Sequence, residues 1–431
     1  MKRLFYGWYM VAAGSGLQVL QSSLMTQSFG AYLAVLQVER GWSKTALSGA
    51  AALQQMEAAI LGPVLGWFID RFGPQGMIRA GIVVFGIGLM LLSFTDTLLA
   101  FYGAFVVIAL GASLCGFFPV NVALIHWFER WRARALSSLS LGIALGGISV
   151  PLVAWSLQTY GWRATAFVSG IIAIVLGLPL AMVFKRRPED HGMVADGIAQ
   201  VEAPGEEIAI RKPDLGRDFT AREALRTPAF WLLSLGHGFA LLVVHAVSVH
   251  AIAHMHQGLG YTVAQASLVY TLLTLSQIGG VVIGWLIGDR YDKRLISGGC
   301  MLGHMAGLLL LTYAGTAAGT AAGTAADAVP ASTPMVLAFA VLHGAAWGLR
   351  GPFMQALRAD YFGRSAIGMI LGLSVMIIVV GQVAGPMVAG ILADATGNYR
   401  AGFTILALLA GVGSLFFFFA RKPERPLLEK S

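Results

Sequence analysis

Long apolar stretches alternate with short polar ones along almost the whole chain. A helix needs about 20 apolar residues to cross the hydrocarbon core of a bilayer, and these stretches are of that length. They fall into two groups of six, at about 8–36, 45–69, 76–94, 98–125, 135–158 and 164–184, and at about 229–254, 262–288, 295–317, 334–358, 365–391 and 399–420. The pattern predicts twelve transmembrane helices, which we number as spans 1 to 12.

The composition also indicates a membrane protein. Of the 431 residues, 57% are hydrophobic and 12% are charged, whereas soluble domains carry about 25% charged residues. The 54 glycines suit helices that pack closely in lipid. We therefore expect an all-α polytopic membrane protein. The formal charge of +8 does not indicate a nucleic-acid partner, because the Lys and Arg residues are confined almost entirely to loops.

The same pattern divides the chain into regions. We predict an N-terminal six-helix bundle at 1–184, a cytoplasmic central loop at 185–227, a C-terminal six-helix bundle at 228–420 and a cytoplasmic tail at 421–431. The first residues resemble a signal peptide, but the apolar stretch continues to about Val35, so we interpret it as span 1. A short surface helix is expected in the central loop near 221–226.

Basic residues predict the orientation in the membrane. Of the 29 Lys and Arg, all but five lie in the termini or in the loops after spans 2, 4, 6, 8 and 10. Arg40, Lys44, Arg163 and Arg400 lie on the opposite side, and Arg350 lies within a span. Because short loops rich in Lys and Arg stay in the cytoplasm, we predict cytoplasmic termini and a multi-pass protein of the inner membrane.

The two groups of spans repeat one another. The segment 66–72 after span 2 (GWFIDRF) matches 284–291 after span 8 (GWLIGDRY). Pro119 of span 4 matches Pro352 of span 10, and the segment 161–167 matches 397–403. Matches at similar offsets indicate a duplication. Parallel six-helix repeats are an architecture of secondary transporters.

The sequence resembles the major facilitator superfamily over nearly its whole length. The loop GWFIDRFGPQ at 66–75 is similar to the Gly-x-x-x-Asp-Arg-x-Gly signature between spans 2 and 3, and GWLIGDRYDKR at 284–294 is its second copy. YGWYMV at 6–11, GWSKTALS at 41–48, GWRATAF at 161–167 and LRGPFMQALRADYFG at 349–363 resemble the bacterial branch near monocarboxylate transporters and oxalate–formate antiporters. The resemblance implies two pseudo-symmetric six-helix bundles that transport a solute by alternating access.

Arg350 is the residue that points most directly to a substrate. By helical rise it lies roughly 12 Å from the end of span 10 near Arg358, and a guanidinium at that depth costs at least about 3 kcal/mol. A water-filled cavity, a counter-charge or an anionic ligand must offset this cost. Better-studied relatives often carry an arginine in span 8, where this chain has only Gln277 as a strongly polar side chain before Asp289. Arg350 is the candidate to supply that charge from span 10.

The resemblance implies that spans 1, 4, 7 and 10 line a central cavity. His343 lies seven residues before Arg350, on the same helix face. The substrate-binding candidates are Arg350, His343, Asn121, Gln18, Gln21, Tyr32 and His245. Apart from Arg350, each has a structural alternative as a hydrogen-bonding residue between helices.

Glu57 is an acid at mid-membrane in span 2, about 16 Å from its inner end by helical rise. It is either a hydrogen-bonding residue between helices or a protonatable group, because burial favours a neutral carboxyl group. We expect Arg350 to bind an anion and Glu57 to carry the coupled proton, which would give proton–anion symport.

Two further sets of residues carry expectations. The resemblance implies a conformational latch in the repeated loops, formed by Gly66, Asp70, Arg71, Gly284, Asp289 and Arg290. These residues should affect the transport rate more than substrate affinity. His250, His254 and His256 have the spacing of metal ligands, but they lie at the outer mouth of span 7, where a gating role is the preferred interpretation.

Other function classes lack their motifs. No Walker-type loop, Gly-x-Ser-x-Gly or His-Glu-x-x-His occurs, which argues against ATP drive and against an enzyme. No cofactor, metal or disulfide is predicted, since Cys115 and Cys300 lie in different apolar segments. We expect a carrier of a small organic anion, monomeric in the bilayer. The alternatives are a drug or neutral-solute exporter, a sensor of transporter shape and a channel.

Overall fold

The computed structural model describes residues 4–42, 44–197, 217–315 and 332–426 of an all-α chain. The fifteen α-helices in these ranges are α1 (Tyr6–Gln21), α2 (Phe29–Arg40), α3 (Lys44–Phe72), α4 (Pro74–Ser93), α5 (Leu98–Cys115), α6 (Phe117–Trp127), α7 (Arg132–Gly146), α8 (Val150–Met182), α9 (Ala221–Leu225), α10 (Pro228–Leu259), α11 (Val263–Ile287), α12 (Lys293–Thr312), α13 (Thr333–Phe362), α14 (Ile367–Thr396) and α15 (Arg400–Phe419).

These helices account for the twelve predicted spans, so the predicted fold class is confirmed. Span 1 is formed by α1, a π-helical segment at Ser22–Thr26 and α2. Span 4 is formed by α5 and α6, which meet at Gly116 in extended conformation. Spans 5 and 6 run through α7 and α8 and are separated at Gly161, whose φ of 77° suits a residue without a Cβ. Eight stretches of the described chain have the length and hydropathy of a membrane span, and one of them, Arg132–Met182, holds two.

The contacts divide the described chain into two compact units. The first contains residues from 4 to Ala224, together with Arg358–Val375 and the tail from Glu424. The second contains Leu225–Leu357 and Met376–Pro423. Within the first unit, α4 packs on α5 and α8, and α1 packs on α7; within the second, α12 and α10 pack on α15.

Hydroxyl groups hold the π-helical segment of span 1 in place within the first unit. Ser22 Oγ donates to Ile143 O at 2.8 Å, and Ser23 Oγ donates to Gly146 O at 3.1 Å. Backbone carbonyls near the end of α7 are therefore satisfied by serine side chains of span 1. A local sequence pattern does not contain this information, because the partners lie more than 100 residues away in the chain.

The described part of the central loop contains the predicted short helix, α9. Before it, Asp218 accepts hydrogen bonds from the backbone N–H groups of Arg364 and Ser365, at 2.8 and 3.1 Å, and from the Ser365 hydroxyl at 2.9 Å. Burial raises the pKa of Asp218, but these hydrogen bonds outweigh it and the pKa is lowered. Hydrogen bonds to Asp218 thus connect the central loop to the segment between α13 and α14. Residues 198–216 of the predicted loop and 427–431 of the tail lie outside the described residues.

Candidate functional site

Arg350 lies in the middle of α13 and belongs to the second unit. Its side chain is fully buried, with 0% exposure. Within the described chain, its Nε, Nη1 and Nη2 atoms have no hydrogen-bond partner. A buried guanidinium carries five N–H donors and cannot readily lose its charge. The local arrangement therefore provides several strong donors for an anion.

Two fully buried histidines lie close to Arg350. His343 of α13 and His304 of α12 are each 0% exposed, and their Nδ1 atoms are 3.1 Å apart. The ring centroids are 4.5 Å apart with an interplanar angle of 66°. The positive charge of Arg350 acts on both rings. His304 was not among the sequence-predicted site residues, although it is a polar side chain within the apolar span 9.

The helices of the second unit offer Arg350 no carboxylate near its own depth. The sequences of α10, α11, α12 and α15 contain neither Asp nor Glu, the acid of α13 is Asp360, ten residues further along the helix, and the acid of α14 is Asp394, close to the end of that helix at Thr396. Cys300 of α12 interacts electrostatically with Arg350, but it is a buried thiol. Among the described residues of this unit, the ionisable groups that interact with Arg350 are thus the Cys300 thiol and the two histidines, and not a carboxylate.

Three histidines of α10 have backbone carbonyls as hydrogen-bond partners. His245, a predicted substrate-binding residue, places Nδ1 3.0 Å from Leu241 O of its own helix. His250 and His254 bind Pro386 O and Leu311 O through Nε2, at 3.0 and 3.2 Å. In the described residues, no group of three or more His, Cys, Asp or Glu side chains could hold a metal ion.

In the first unit, three predicted residues lie around the break in span 4 at Gly116. Gln21 Nε2 donates to Ala112 O at 3.2 Å, and Ser113 Oγ donates to Glu57 Oε2 at 2.9 Å. Asn121 Nδ2 donates to Phe117 O at 2.6 Å, on the other side of the break. The Oε1 atom of Glu57 and the Oδ1 atom of Asn121 are buried and lack a partner among the described residues.

The other two predicted residues of span 1 are also buried. Gln18 is 3% exposed, and its Nε2 atom has no hydrogen-bond partner in the described chain. Tyr32 is 1% exposed, and its hydroxyl faces Ser169 of α8. Both side chains lie within the helix packing of the first unit, so a substrate would reach them only after the packing changes.

The first copy of the predicted latch makes defined contacts within the first unit. The Asp70 carboxylate accepts hydrogen bonds from Gly368 N and Met369 N, each at 2.8 Å, at the start of α14. A carboxylate is favourable at this position because the first turn of a helix has unpaired N–H groups and a partial positive charge. Gly66 permits the close approach, since a Cβ at this residue would clash with the Gly368 backbone. The Arg71 guanidinium lies 5.5 Å from the Trp67 ring centroid.

The second copy of the latch belongs to the second unit. Gly284 lies against α13, where an added Cβ would be 3.3 Å from the Leu349 side chain. Asp289 and Arg290 follow α11 directly, and Arg290 N donates to Ile287 O at 2.9 Å. The roles of these residues stay predictions.

Residues 16–326 and 306–431 match the family model described as Major Facilitator Superfamily. The chain belongs to the major facilitator superfamily. It is a multi-pass membrane protein, and its relatives and fold are those of transporters, which confirms the prediction that it is not an enzyme.

Several curated relatives cover most of the chain. "Monocarboxylate transporter 13" of Rattus norvegicus is 26% identical over 95% of this chain and 88% of its own length. "Probable sulfoacetate transporter SauU" of Cupriavidus necator is 27% identical over 81% of this chain and 79% of its own length. "Membrane sensor protein UhpC" of Escherichia coli is 27% identical over 58% of this chain and 59% of its own length. The predicted resemblance to the monocarboxylate transporter branch of the superfamily is confirmed.

A solved structure of the proton:xylose symporter XylE has the same fold. The two chains superpose with a TM-score of 0.72 over 98% of each, at 15% sequence identity. This likeness confirms the superfamily fold and carries no information on the substrate of the present chain.

Two buried arginines were missed by the sequence interpretation. Arg132, at the start of α7, forms an ion pair with Asp360 near the end of α13. Arg358 is 1% exposed and donates from Nε to Ser374 Oγ at 3.1 Å. All four residues belong to the first unit, and together with Asp70 they attach the segment 358–375 to it. An arginine near a span end resembles an ordinary loop charge, so no sequence signal separates these residues from the other basic residues.

Proposed function

We propose that the protein is a secondary transporter of a small organic anion, a monocarboxylate or a related carboxylate, and that Arg350 binds the anionic group. The observation that carries this proposal is the fully buried guanidinium with three unpartnered nitrogens among the described residues. Without a counter-ion, such a group is costly in a membrane. An anionic substrate would supply the missing charge and accept the unused hydrogen bonds.

The chemistry of the guanidinium favours a carboxylate. Its planar fork matches the two oxygens of a carboxylate in a bidentate pair, a geometry that lysine cannot copy. Charge-assisted hydrogen bonds of this kind contribute about 1.5–3 kcal/mol each. Two relatives are named after anions, a monocarboxylate and sulfoacetate. These names support the same substrate class for the present chain.

Glu57 is our candidate for the coupled proton. Its Oε2 atom accepts a hydrogen bond from Ser113, and its buried Oε1 atom has no partner in the described chain. A carboxyl group in this setting can bind a proton at Oε1 and keep its bond to Ser113. The proposed mechanism is alternating access with proton–anion symport, and the predicted substrate residues Gln18, Gln21, Tyr32 and Asn121 of the first unit would contribute polar contacts.

The proposed setting is the bacterial inner membrane, with both termini and the central loop in the cytoplasm and the protein monomeric. The charge bias of the loops supports this orientation. The proposed division into bundles at 1–184 and 228–420 follows the repeat.

A sensor function is the second candidate, because one relative is named a membrane sensor protein. A sensor could use the same buried arginine to bind an anion without moving it across the membrane. Flux into liposomes separates the two functions, since a sensor binds the anion but does not accumulate or exchange it.

The test begins with a thermal-shift screen of purified protein against acetate, lactate, pyruvate, oxalate and sulfoacetate, followed by titration calorimetry and by counterflow of labelled anion in proteoliposomes. Arg350→Lys should weaken binding by roughly 10- to 100-fold, which corresponds to the loss of one charge-assisted hydrogen bond. Arg358→Lys is the matched control, since it changes a buried arginine of the same helix that already binds Ser374. Unchanged anion affinity in Arg350→Lys would contradict the proposal.

A further inference from the structure

The His304–His343 pair is a second chemical feature beside Arg350. It is held by close packing of α12 on α13: an added Cβ at Gly307 would lie 3.4 Å from His343 N and Phe339 O. Both rings are fully buried, with the Nδ1 atoms 3.1 Å apart. The Nε2 atoms of both rings are buried and have no hydrogen-bond partner in the part of the chain that the structure describes.

The hydrogen bond between the two Nδ1 atoms determines which ring nitrogens of the neutral pair carry a proton. A neutral imidazole has one N–H and one bare nitrogen. One ring must donate from Nδ1, which leaves its Nε2 bare, and the other must accept at Nδ1, which leaves its Nε2 protonated. One further proton can therefore enter at the bare Nε2 while the Nδ1–Nδ1 bond stays intact. The pair thus has room for a single added proton, and the resulting cation presents N–H groups at both Nε2 positions.

The charge at Arg350 determines whether the histidine pair can bind this additional proton. Helices α10, α11 and α15 pack on α12 or α13, and none of them contains Asp or Glu; the acid of α13, Asp360, lies well beyond His343 near the end of that helix. Arg350 is the charged group that acts on both rings. The other ionisable side chains of these helices are Lys293, Arg294 and Cys300 on α12, Arg358 and Tyr361 on α13, Tyr270 on α11, Arg400 on α15, and His237, His245, His250, His254 and His256 on α10. Beside an unneutralised Arg350, a second positive charge is strongly unfavourable in a medium of low dielectric constant. An anion at Arg350 cancels this repulsion and can accept a hydrogen bond from an imidazolium N–H.

We propose that the His304–His343 pair takes up one proton when a carboxylate binds at Arg350, so that the second unit binds anion and proton together. The inference rests on the proposed anion site and deepens it. It adds a proton-binding group in the same unit as Arg350, independent of Glu57. Linkage between two bound species is reciprocal, so the affinity for the anion must rise as the pH falls.

The test measures pyruvate affinity of the purified full chain in nanodiscs by titration calorimetry between pH 6 and pH 8. Two buffers of different ionisation enthalpy are used at each pH to count the protons taken up. The variants are His304→Gln, His343→Gln and the double variant, with His250→Gln as the matched control, since His250 binds Pro386 O and lies outside the pair. Glu57→Gln and Arg350→Lys are measured in parallel, and melting temperatures check folding.

The wild type should take up about one more proton per pyruvate than the double variant, with an affinity that rises by up to about tenfold per pH unit on acidification. His250→Gln should match the wild type, and Glu57→Gln should retain the histidine-dependent proton. The proposal is overturned if wild-type affinity is independent of pH, or if folded His304→Gln and His343→Gln keep wild-type proton uptake. In either case, loss of pyruvate binding in Arg350→Lys would still support the anion site. If Arg350→Lys binds pyruvate as well as the wild type does, the anion site itself is wrong and this inference fails with it.

Discussion

Replacing Asp70 with Asn tests whether the contact between α3 and the start of α14 controls the transport cycle. In the described structure, the two carboxylate oxygens accept the N–H groups of Gly368 and Met369, each at 2.8 Å. Asn keeps one acceptor oxygen but turns an NH₂ group towards the second N–H. We expect Asp70→Asn to lower the transport rate and to leave substrate affinity nearly unchanged, because Asp70 is not one of the proposed substrate-binding residues.

The size of the effect follows from the lost interactions. A hydrogen bond to a charged group contributes about 1.5–3 kcal/mol, and a negative charge at a helix N-terminus adds about 0.3–1 kcal/mol. With one bond lost and some of its cost relieved by water, the net change is about 2 kcal/mol. That corresponds to a shift of roughly 30-fold between a conformation that contains the contact and one that lacks it. A substrate with similar affinity for both conformations does not sense this shift, so its Kd stays nearly constant.

The rate is measured as counterflow of labelled pyruvate in proteoliposomes, and the affinity by calorimetry on the same preparation. Asp292→Asn is the matched control: Asp292 also accepts a backbone N–H, from Arg294 at 2.8 Å, but it caps the start of α12 and is not one of the six predicted latch residues. The reasoning is refuted if a folded Asp70→Asn variant transports at the wild-type rate, or if it no longer binds pyruvate.

The remaining predictions use different properties of the molecule. Gly66→Ala should reduce transport more than Gly76→Ala, because a Cβ at Gly66 clashes with the Gly368 backbone whereas one at Gly76 meets no atom within 4 Å; equal counterflow rates would contradict this. Glu57→Gln should retain exchange but lose accumulation driven by a pH gradient, and wild-type accumulation would exclude the coupling role. Asp218→Asn should lower the melting temperature at neutral pH; since the pKa of Asp218 is lowered in the folded state, this difference should vanish as the pH falls through that pKa. A reporter fused after Ser431 should be cytoplasmic, and a periplasmic reporter would overturn the topology.

The twelve spans could be predicted because the bilayer leaves few alternatives. Backbone polar groups must be satisfied within a helix in lipid, so a long apolar stretch is also a long helix. The interruptions of regular helix within and between the spans were harder to predict from the sequence. The π-helical segment at Ser22–Thr26 depends on serine hydroxyls that reach carbonyls of α7, more than 100 residues away. Among these interruptions, Gly161 was the one that lay in a predicted loop, between spans 5 and 6, in a segment that is repeated at 397–403.

The candidate site was predictable where one residue carries the physical argument. Arg350 stands out because a charge deep in an apolar helix needs a reason. The structure shows that its side chain is fully buried, and its role stays a prediction. His304 does not stand out, since a single histidine in a span can bind almost any neighbouring backbone carbonyl. Its pairing with His343 depends on the register of α12 against α13. The sequence contains both histidines but does not specify this register.

The predicted duplication allows the two units to be compared, and they obtain their buried polar groups in different ways. Pro119 and Pro352 occupy matching places in spans 4 and 10, so the region of Arg350 corresponds to the region of Phe117. In the first unit the helix breaks at Gly116, and the polar groups there are backbone carbonyls and side-chain amides. In the second unit α13 runs through Pro352 without a break and carries a guanidinium instead. Span 4 of the first unit thus presents uncharged dipoles, whereas span 10 of the second unit presents a full positive charge. This difference is the basis for the proposed role of the second unit in binding an anion.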